Sequence, residues 1–458
     1  MSVFYPEDFK PFSSGLTNHW GSLYGSSEAL ALLEFAESQK QVLVYIAKDI
    51  AHYDEIQKAL KFFNSSLEIL DFSSWEVLAF DHFSPHPDIV SSRLDTLSKL
   101  STLKSGIVIT TLETLSQKLC PTDYIDRYSL SLCVGQTLEI EPFVDRLIKI
   151  GYRRVSTVME QGEFSIKGAL IDLYPMGAKY PYRIDLFDNE IDSIRTFKAS
   201  TQRSIEVINK IKLLPAREFA SDNESISTFK SNYLSEFGNT DGFIYNEVIE
   251  GRFPGGIEFY LPLFFHKTNT LFDFLNTEPV VVYQKGLSEV MKSQSHELLE
   301  RYEHCNHSLE RPPLEINKVF LSSEEFFRLI KDKNQIQTQS SKMNQIGALN
   351  FSSAVLPPVK IQSQTKNPLN KLIKFIENFQ SRVLIVCESE GRQSVLTELL
   401  SSYNISAINC NGWDDFLDQD HKLCITNARL SDGIFCDRFA IITENNLFGQ
   451  DAVNQRRR

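Results

Sequence analysis

The sequence predicts an α/β protein of several domains, and three observations lead to that prediction. The 458 residues are enough for roughly three domains, and 42% of them are hydrophobic. Helical and strand patterns alternate through residues 26–118 and again through 354–458, which is typical of parallel α/β sheets. Residues 128–213 instead hold short β-branched runs between turn signals such as PMGAKYP and FDNE, so we interpret them as a compact α+β insert.

The elements of the first segment follow from local patterns. In SSEALALLEFAESQ, Leu30, Leu33 and Ala36 have the spacing of the buried face of a helix. DIAHYDEIQKALKFF is predicted to be a second helix. The short apolar runs QVLVYIAKD, LEILDF and GIVITT are predicted to be buried strands of a parallel sheet.

The later elements define the domain boundaries. The strand EPVVVY and the helix SEVMKSQSHELLERYEH return to an α/β pattern after the insert, and the amide-rich stretch QIQTQSSKMNQIGALNFS indicates a linker. The predicted segments are 1–125 and 214–335 as two parts of one α/β domain, 126–213 as the insert, 336–353 as the linker, and 354–458 as a small α/β domain of undefined role.

Composition argues against several classes of function. The net charge of −12 does not favour non-specific nucleic-acid binding, which depends on basic surface. The seven cysteines form no CxxC pair and the nine histidines form no HExxH motif, so we expect reduced thiols in a cytoplasmic protein and no metal site. No apolar run approaches the ~18 residues of a membrane span, so no membrane contact is expected.

The stretch SLYGSSEALALLEF resembles the phosphate-binding turn of a nucleotide hydrolase. The positions of this turn are Gly25, Ser26, Ser27, Glu28 and Ala29. A working turn needs a lysine for the outer phosphates and a hydroxyl for magnesium, but Glu28 and Ala29 stand at those places. An alternative interpretation is a simple helix start, with Ser27 as N-cap and Glu28 favourable to the helix dipole.

A second part of a nucleotide site is also missing. Such enzymes carry an Asp-Glu pair at the end of a hydrophobic strand, where it positions magnesium and activates water. The best candidate strand, PVVVYQKG, ends in Gln284 and Lys285. Because two separate chemical requirements fail, the sequence predicts no active ATPase in this segment.

Three long stretches carry a resemblance to a known family. They are WEVLAFDHFSPHPDIVSSRLDTLSKL, GEFSIKGALIDLYPMGAKYPYRIDLFDNEIDSIRTFKASTQRS and PGGIEFYLPLFF. Together they resemble the N-terminal region of the bacterial transcription-repair coupling factors, which is similar in turn to the excision-repair helicase UvrB. The resemblance implies a UvrB-like, helicase-like parallel-sheet domain that has lost its ATP site, with an inserted UvrA-binding domain.

The resemblance also implies what the whole protein would do. Full-length members add an RNA-polymerase-interacting domain, a double-stranded-DNA translocase motor and an autoinhibitory C-terminal domain. ATP and magnesium would belong to that motor, and no cofactor is expected in the present segment. The chain then resembles the part that recruits repair proteins, with UvrA as the partner.

The family's UvrA contacts are carried over residue by residue. The implied positions are Lys167, Arg183, Phe187, Glu190 and Arg195. Lys167 in IKGAL departs from the arginine of the family motif and loses its bidentate geometry. In the strand YRIDLFD, alternation places Arg183 and Phe187 on one face, where an aromatic beside an arginine is typical of an interface.

Three functions remain open at this point. The first is a recruiting scaffold with an inactive helicase fold, and the second is an ATP-dependent helicase. The third is a DNA-binding module. The acidic net charge disfavours this interpretation. So does the segment SSRLDTLSKLSTLKSGIVITT, which is too short to hold the UvrB hairpin.

Overall fold

A computed structural model describes residue 4 and residues 17–63, 66–238, 240, 242–362 and 367–449. The first segment alternates strands and helices as predicted. Its elements are β1 (Thr17–Gly21), α1 (Ser27–Gln39), β2 (Val42–Ala47), α2 (Ile50–Phe63), β3 (Glu68–Phe72), α3 (Pro87–Leu100), β4 (Gly106–Thr111), α4 (Leu112–Ser116) and α5 (Tyr124–Tyr128). Every residue of β2 and β4 is buried, because helices cover both faces of this part of the sheet.

The insert is built around an antiparallel sheet. Its elements are β5 (Leu130–Cys133), α6 (Ile140–Lys149), β6 (Arg153–Arg154), β7 (Glu163–Lys167), β8 (Leu170–Tyr174), β9 (Tyr182–Phe187), β10 (Glu190–Phe197), β11 (Ser204–Ile208) and β12 (Lys210–Leu213). Six strands lie in the order β11-β10-β9-β8-β7-β6, so β11 forms one edge. β5 and β12 pair separately and connect the insert to the first domain.

The third segment completes the first sheet. Its elements are α7 (Asn223–Phe237), α8 (Phe243–Ile249), two 3₁₀ helices (Ile257–Phe264 and Leu271–Phe274), β13 (Val280–Gln284), α9 (Leu287–Cys305), α10 (Ile316–Val319), α11 (Ser323–Lys331), β14 (Gln335–Thr338) and β15 (Leu349–Asn350). The sheet order is β15-β1-β14-β13-β2-β4-β3, and every neighbouring pair is parallel. Strands from both sides of the insert therefore share one sheet.

The interpretation of 336–353 as a linker needs correction. β14 begins this range and lies between β1 and β13, and β15 near its end pairs with β1. Gln335, which begins β14 just before this range, is satisfied by neighbouring elements: its side chain accepts a 2.8 Å hydrogen bond from Tyr283 and donates to the carbonyl of Ile330. Residues 336–338 and 349–350 thus belong to the first domain.

The fourth segment forms a second α/β unit. Its elements are α12 (Asn370–Asn378), β16 (Arg382–Cys387), α13 (Glu390–Ser402), β17 (Ile408–Asn409), α14 (Trp413–Asp418), β18 (Leu423–Asn427), β19 (Ile434–Phe435), β20 (Phe439–Thr443) and α15 (Glu444–Phe448). The sheet order is β17-β18-β16-β20-β19, parallel except for the last pair. Its core is continuous with that of the first domain, where Trp413 packs edge-on against Phe63 at 5.2 Å.

The predicted fold class is confirmed: the chain is an α/β protein with several sheets and an inserted α+β unit. All helices in the described ranges are too short or too polar to cross a bilayer.

Candidate functional site

The phosphate-turn-like segment keeps the backbone of a turn before a helix. Gly25 has a φ of 59°, and α1 begins at Ser27. Ser26, and not Ser27, is therefore the N-cap, which corrects the sequence interpretation. The hydroxyl of Ser26 does not cap the helix, because it donates a 2.6 Å hydrogen bond to the carbonyl of Asp432.

Glu28 and Gln284, the two residues whose types do not suit a nucleotide site, contact each other. Gln284 Nε2 donates a 2.9 Å hydrogen bond to Glu28 Oε2, and Thr338 Oγ1 donates a 2.5 Å bond to Glu28 Oε1. Both carboxyl oxygens of Glu28 are thus satisfied inside the protein, where only 8% of the side chain is exposed. A group that accepts hydrogen bonds fills the place where a nucleotide hydrolase presents a cation.

Two further side chains extend this network. His52 Nε2 lies 3.1 Å from Gln284 Nε2 and 3.3 Å from the hydroxyl of Tyr45. Burial raises the pKa of Tyr45 well above its ordinary value, and the nearby Glu28 carboxyl adds to the rise. Sequence reasoning missed Tyr45, His52 and Thr338, because they come from three separate elements and carry no local motif.

The other two positions contribute nothing that a nucleotide needs. Ala29 is fully buried in the core, and Lys285 is exposed at the end of β13, where its backbone N–H donates to the carbonyl of Thr338 at 3.0 Å. No hydroxyl stands beside Glu28 at position 29 to hold magnesium. The residues present do not fit a magnesium–nucleotide complex.

The second α/β unit, which the fourth segment forms and which we call the fourth domain, contacts the turn. The backbone N–H of Ser26 donates to the carbonyl of Gly433 at 3.3 Å, and that oxygen lies only 2.0 Å from the place of a Cβ on Gly25. The hydroxyl of Ser353 also contacts the turn and accepts a 3.0 Å hydrogen bond from the N–H of Tyr24. Backbone N–H groups that cradle phosphate in an active turn are here bonded within the chain.

The insert presents a second candidate site on the outer face of its sheet. In an antiparallel sheet, directly opposed residues project to the same side. Arg183 on β9 opposes Asp172 on β8 and Arg195 on β10, and Arg195 opposes Val207 on β11. Alternation along β9 adds Asp185 and Phe187 to this side, which we call the outer face.

The five residues implied by the family differ in whether their side chains are already paired within the insert. Arg183 forms a bidentate pair with Asp172 at 2.7 and 2.8 Å, donates to the carbonyl of Gln202, and lies over the ring of Phe197. This pairing raises the pKa of Arg183. Arg195 also pairs with Asp185, but through Nη2 alone, and its Nε is buried without a hydrogen-bond partner among the described residues. Both arginines are neutralised within the sheet.

The remaining three positions face solvent. The side chain of Phe187 is 75% exposed, and Glu190 lies directly opposite it on β10. Lys167 ends β7 and is exposed, and it makes no ion pair with any residue in the described ranges. The structure therefore brings the five predicted residues to one region of the insert, and their role in binding stays a prediction.

Comparisons with known proteins agree with this picture. The fold defines an α/β protein with an inserted interaction domain of the UvrB type, and a family model described as the UvrB interaction domain matches residues 130–219. A second model, described as the MFD D3 domain, matches residues 375–447. By these and the following matches the chain belongs to the transcription-repair-coupling factor family and corresponds to the N-terminal region of those proteins.

The similarity to relatives extends along nearly the whole chain. It is 35% identical to the transcription-repair-coupling factor of Haemophilus influenzae over 445 residues, which is 96% of this chain and 38% of that protein. It is 33% identical to the factor of Escherichia coli, covering 98% of this chain and 40% of that protein. The chain thus spans about two fifths of the length of these curated relatives.

Proposed function

We propose that this chain is the repair-recruiting module of transcription-coupled nucleotide excision repair, and that it binds UvrA through the outer face of the insert. The observation that carries the proposal is Phe187, an aromatic side chain left 75% exposed on a sheet face within the UvrB-interaction match. Exposed aromatics on rigid elements are typical interface anchors. Lys167 is exposed and has no ion-pair partner among the described residues, so its charge is available to a partner carboxylate.

The second part of the proposal is that this module is not an enzyme. The Glu28 network and the Gly433 contact fill the place of a nucleotide, so recruitment needs no ATP here. In the full-length protein, ATP and magnesium would serve a DNA-translocating motor that displaces stalled RNA polymerase, and a C-terminal domain would mask the UvrA face. Such a protein would act in the cytoplasm.

Calorimetric titration with purified UvrA tests the recruiting role. Phe187→Ala should weaken binding by about 30-fold, because truncating an interface anchor costs about 2 kcal/mol. Phe83→Ala is the matched control, since Phe83 is also a surface phenylalanine, 69% exposed, but lies in the first domain. Equal affinities for all three proteins, with unchanged thermal melts, would reject Phe187 as the binding anchor.

A DNA-binding or helicase role is the competing candidate. Filter binding of double-stranded DNA at 50 and 200 mM salt separates the two, because phosphate-driven binding falls steeply with salt. Strong, salt-sensitive binding or DNA-stimulated ATP hydrolysis by this chain would favour the competitor.

A further inference from the structure

We infer that Val207, on the edge strand β11, is a second apolar anchor of the outer face and contacts the same partner as Phe187. This inference rests on the proposed function and deepens it. Val207 is 68% exposed, and it lies directly opposite Arg195 in the register of β10 and β11. It therefore projects to the side of the sheet that carries Arg183 and Phe187.

The charges of this face cannot supply most of its binding energy. Arg183 is held by Asp172, and Arg195 is held by Asp185, so a partner carboxylate would have to displace an existing carboxylate from either guanidinium. Exchanging one ion pair for another yields little net free energy. The two arginines are better described as positioning residues that fix β8, β9 and β10 against one another.

Apolar contacts must therefore contribute to the binding free energy. Two exposed apolar side chains of the outer face, Phe187 and Val207, lie at two of its corners. Phe187 is four residues along β9 from Arg183, a distance of about 13 Å, and Val207 is two strands away from Arg183, about 10 Å. The two anchors are therefore roughly 16 Å apart by the same spacings. That separation fits inside one interface of about 800 Å² on each partner.

The edge position of β11 supports the same conclusion. Edge strands are usually protected by charged residues or by coverage, because an exposed apolar edge promotes association. Here Ile205 and Val207 are exposed at 45% and 68%, and four of the five residues of the strand face solvent. We therefore expect the UvrA surface to present one apolar patch to Phe187, a second apolar patch to Val207 and an acidic group to Lys167.

Val207→Thr tests the inference with little risk to the fold, because threonine has the same shape and also favours strands. The experiment is calorimetric titration of the whole chain with UvrA, and the expected result is about fivefold to tenfold weaker binding, from loss of one buried apolar group. Val395→Thr is the matched control, since Val395 is 66% exposed on α13 in the fourth domain. Thermal melts of both variants should match the unchanged protein.

The outcomes separate this inference from the proposed function. If Phe187→Ala weakens binding but Val207→Thr binds like Val395→Thr, the second anchor is wrong and the recruiting face stands. If Val207→Thr alone weakens binding, the face stands with Val207 as anchor and the role given to Phe187 falls. If the unchanged chain does not bind UvrA, both proposals fall together.

Discussion

The side-chain amide of Gln284 donates a 2.9 Å hydrogen bond to the carboxyl group of Glu28, although the two residues lie 256 positions apart in the chain. Each residue stands where a nucleotide hydrolase needs the opposite chemistry: a cation at position 28 and a carboxylate at position 284. The two replacements are complementary to each other. The polar groups at these two positions therefore satisfy one another inside the protein.

Glu28→Ala should destabilise the first domain by about 2–3 kcal/mol. The substitution removes the acceptor that the Thr338 hydroxyl and the Gln284 amide share in a buried place, and removing one partner of a buried hydrogen bond costs more than the bond itself contributes. Glu55→Ala is the control, since Glu55 is exposed on α2. Urea denaturation of both variants measures the difference, and equal midpoints would show that the network contributes no stability.

Magnesium-ATP should not stabilise this chain. A ligand present at 100 times its dissociation constant raises the free energy of unfolding by about 2.7 kcal/mol, which a thermal melt detects readily. We expect unchanged melting temperatures with millimolar magnesium-ATP or magnesium-ADP. A rise in melting temperature with nucleotide concentration would contradict this prediction. Repeating the melt with Glu28→Ala would then show whether the nucleotide binds beside position 28.

The contact between the first and fourth domains can be tested at Gly25. Gly25→Ala places a Cβ 2.0 Å from the carbonyl oxygen of Gly433, so the two domains must separate locally. Gly238→Ala is matched, because Gly238 also has a positive φ, 69° against 59°, but has nothing within 4 Å of the added atom. Hydrogen exchange should rise in residues 431–433 for Gly25→Ala only. Identical exchange in both variants would contradict the contact.

The parts of the fold that were predictable have self-contained patterns. VLVYIA and GIVITT are continuous apolar runs, which is how fully buried parallel strands look in a sequence. β14, with the sequence QIQT, has no such pattern, and its Gln335 amide is satisfied by Tyr283 and by the carbonyl of Ile330, which lie in other elements. A polar central strand is therefore indistinguishable from a linker until its neighbours are known.

The candidate site shows the same division. Glu28 and Gln284 could be recognised as wrong for a nucleotide from residue type alone, whereas their mutual hydrogen bond depends on sheet order. On the outer face, alternation along β9 correctly separated Phe187 from the buried Ile184 and Leu186. The pairing of Arg183 with Asp172 was missed, because it depends on the register of β8 against β9.

That pairing makes Arg183 a poor single probe of binding. Arg183→Ala leaves Asp172, whose side chain is 5% exposed, as a buried carboxylate without its partner, and breaking such a pair costs about 3–5 kcal/mol. We expect Arg183→Ala to lower the stability of the insert strongly. Combined Arg183→Ala and Asp172→Asn should recover part of the loss, because no charge is then stranded. A double-mutant cycle by denaturation measures the coupling, and strictly additive losses would argue against it.

The junction of the first domain and the insert contains a carboxyl group that should make stability depend on pH. Glu258 lines a cavity of about 390 Å³ between these units and accepts a 2.9 Å hydrogen bond from the hydroxyl of Ser84. Burial raises its pKa from 4.5 to about 7, against the lowering effect of Ser84 and of Arg217. The folded state therefore holds this proton over a range in which the unfolded chain has already released it.

The sign of the effect follows from proton counting. Between pH 4.5 and 7 the folded state binds more protons than the unfolded state, so this group makes the free energy of unfolding fall as pH rises. Above pH 7 its destabilising effect on the folded state stays constant. Glu258→Gln removes this effect while it keeps an acceptor for Ser84. The stability gained over the unchanged protein should be about 2 kcal/mol larger at pH 8 than at pH 5. Denaturation of Glu258→Gln at both pH values, beside the exposed control Glu303→Gln, measures this difference, and a gain that is equal at pH 5 and pH 8 would show that Glu258 titrates normally.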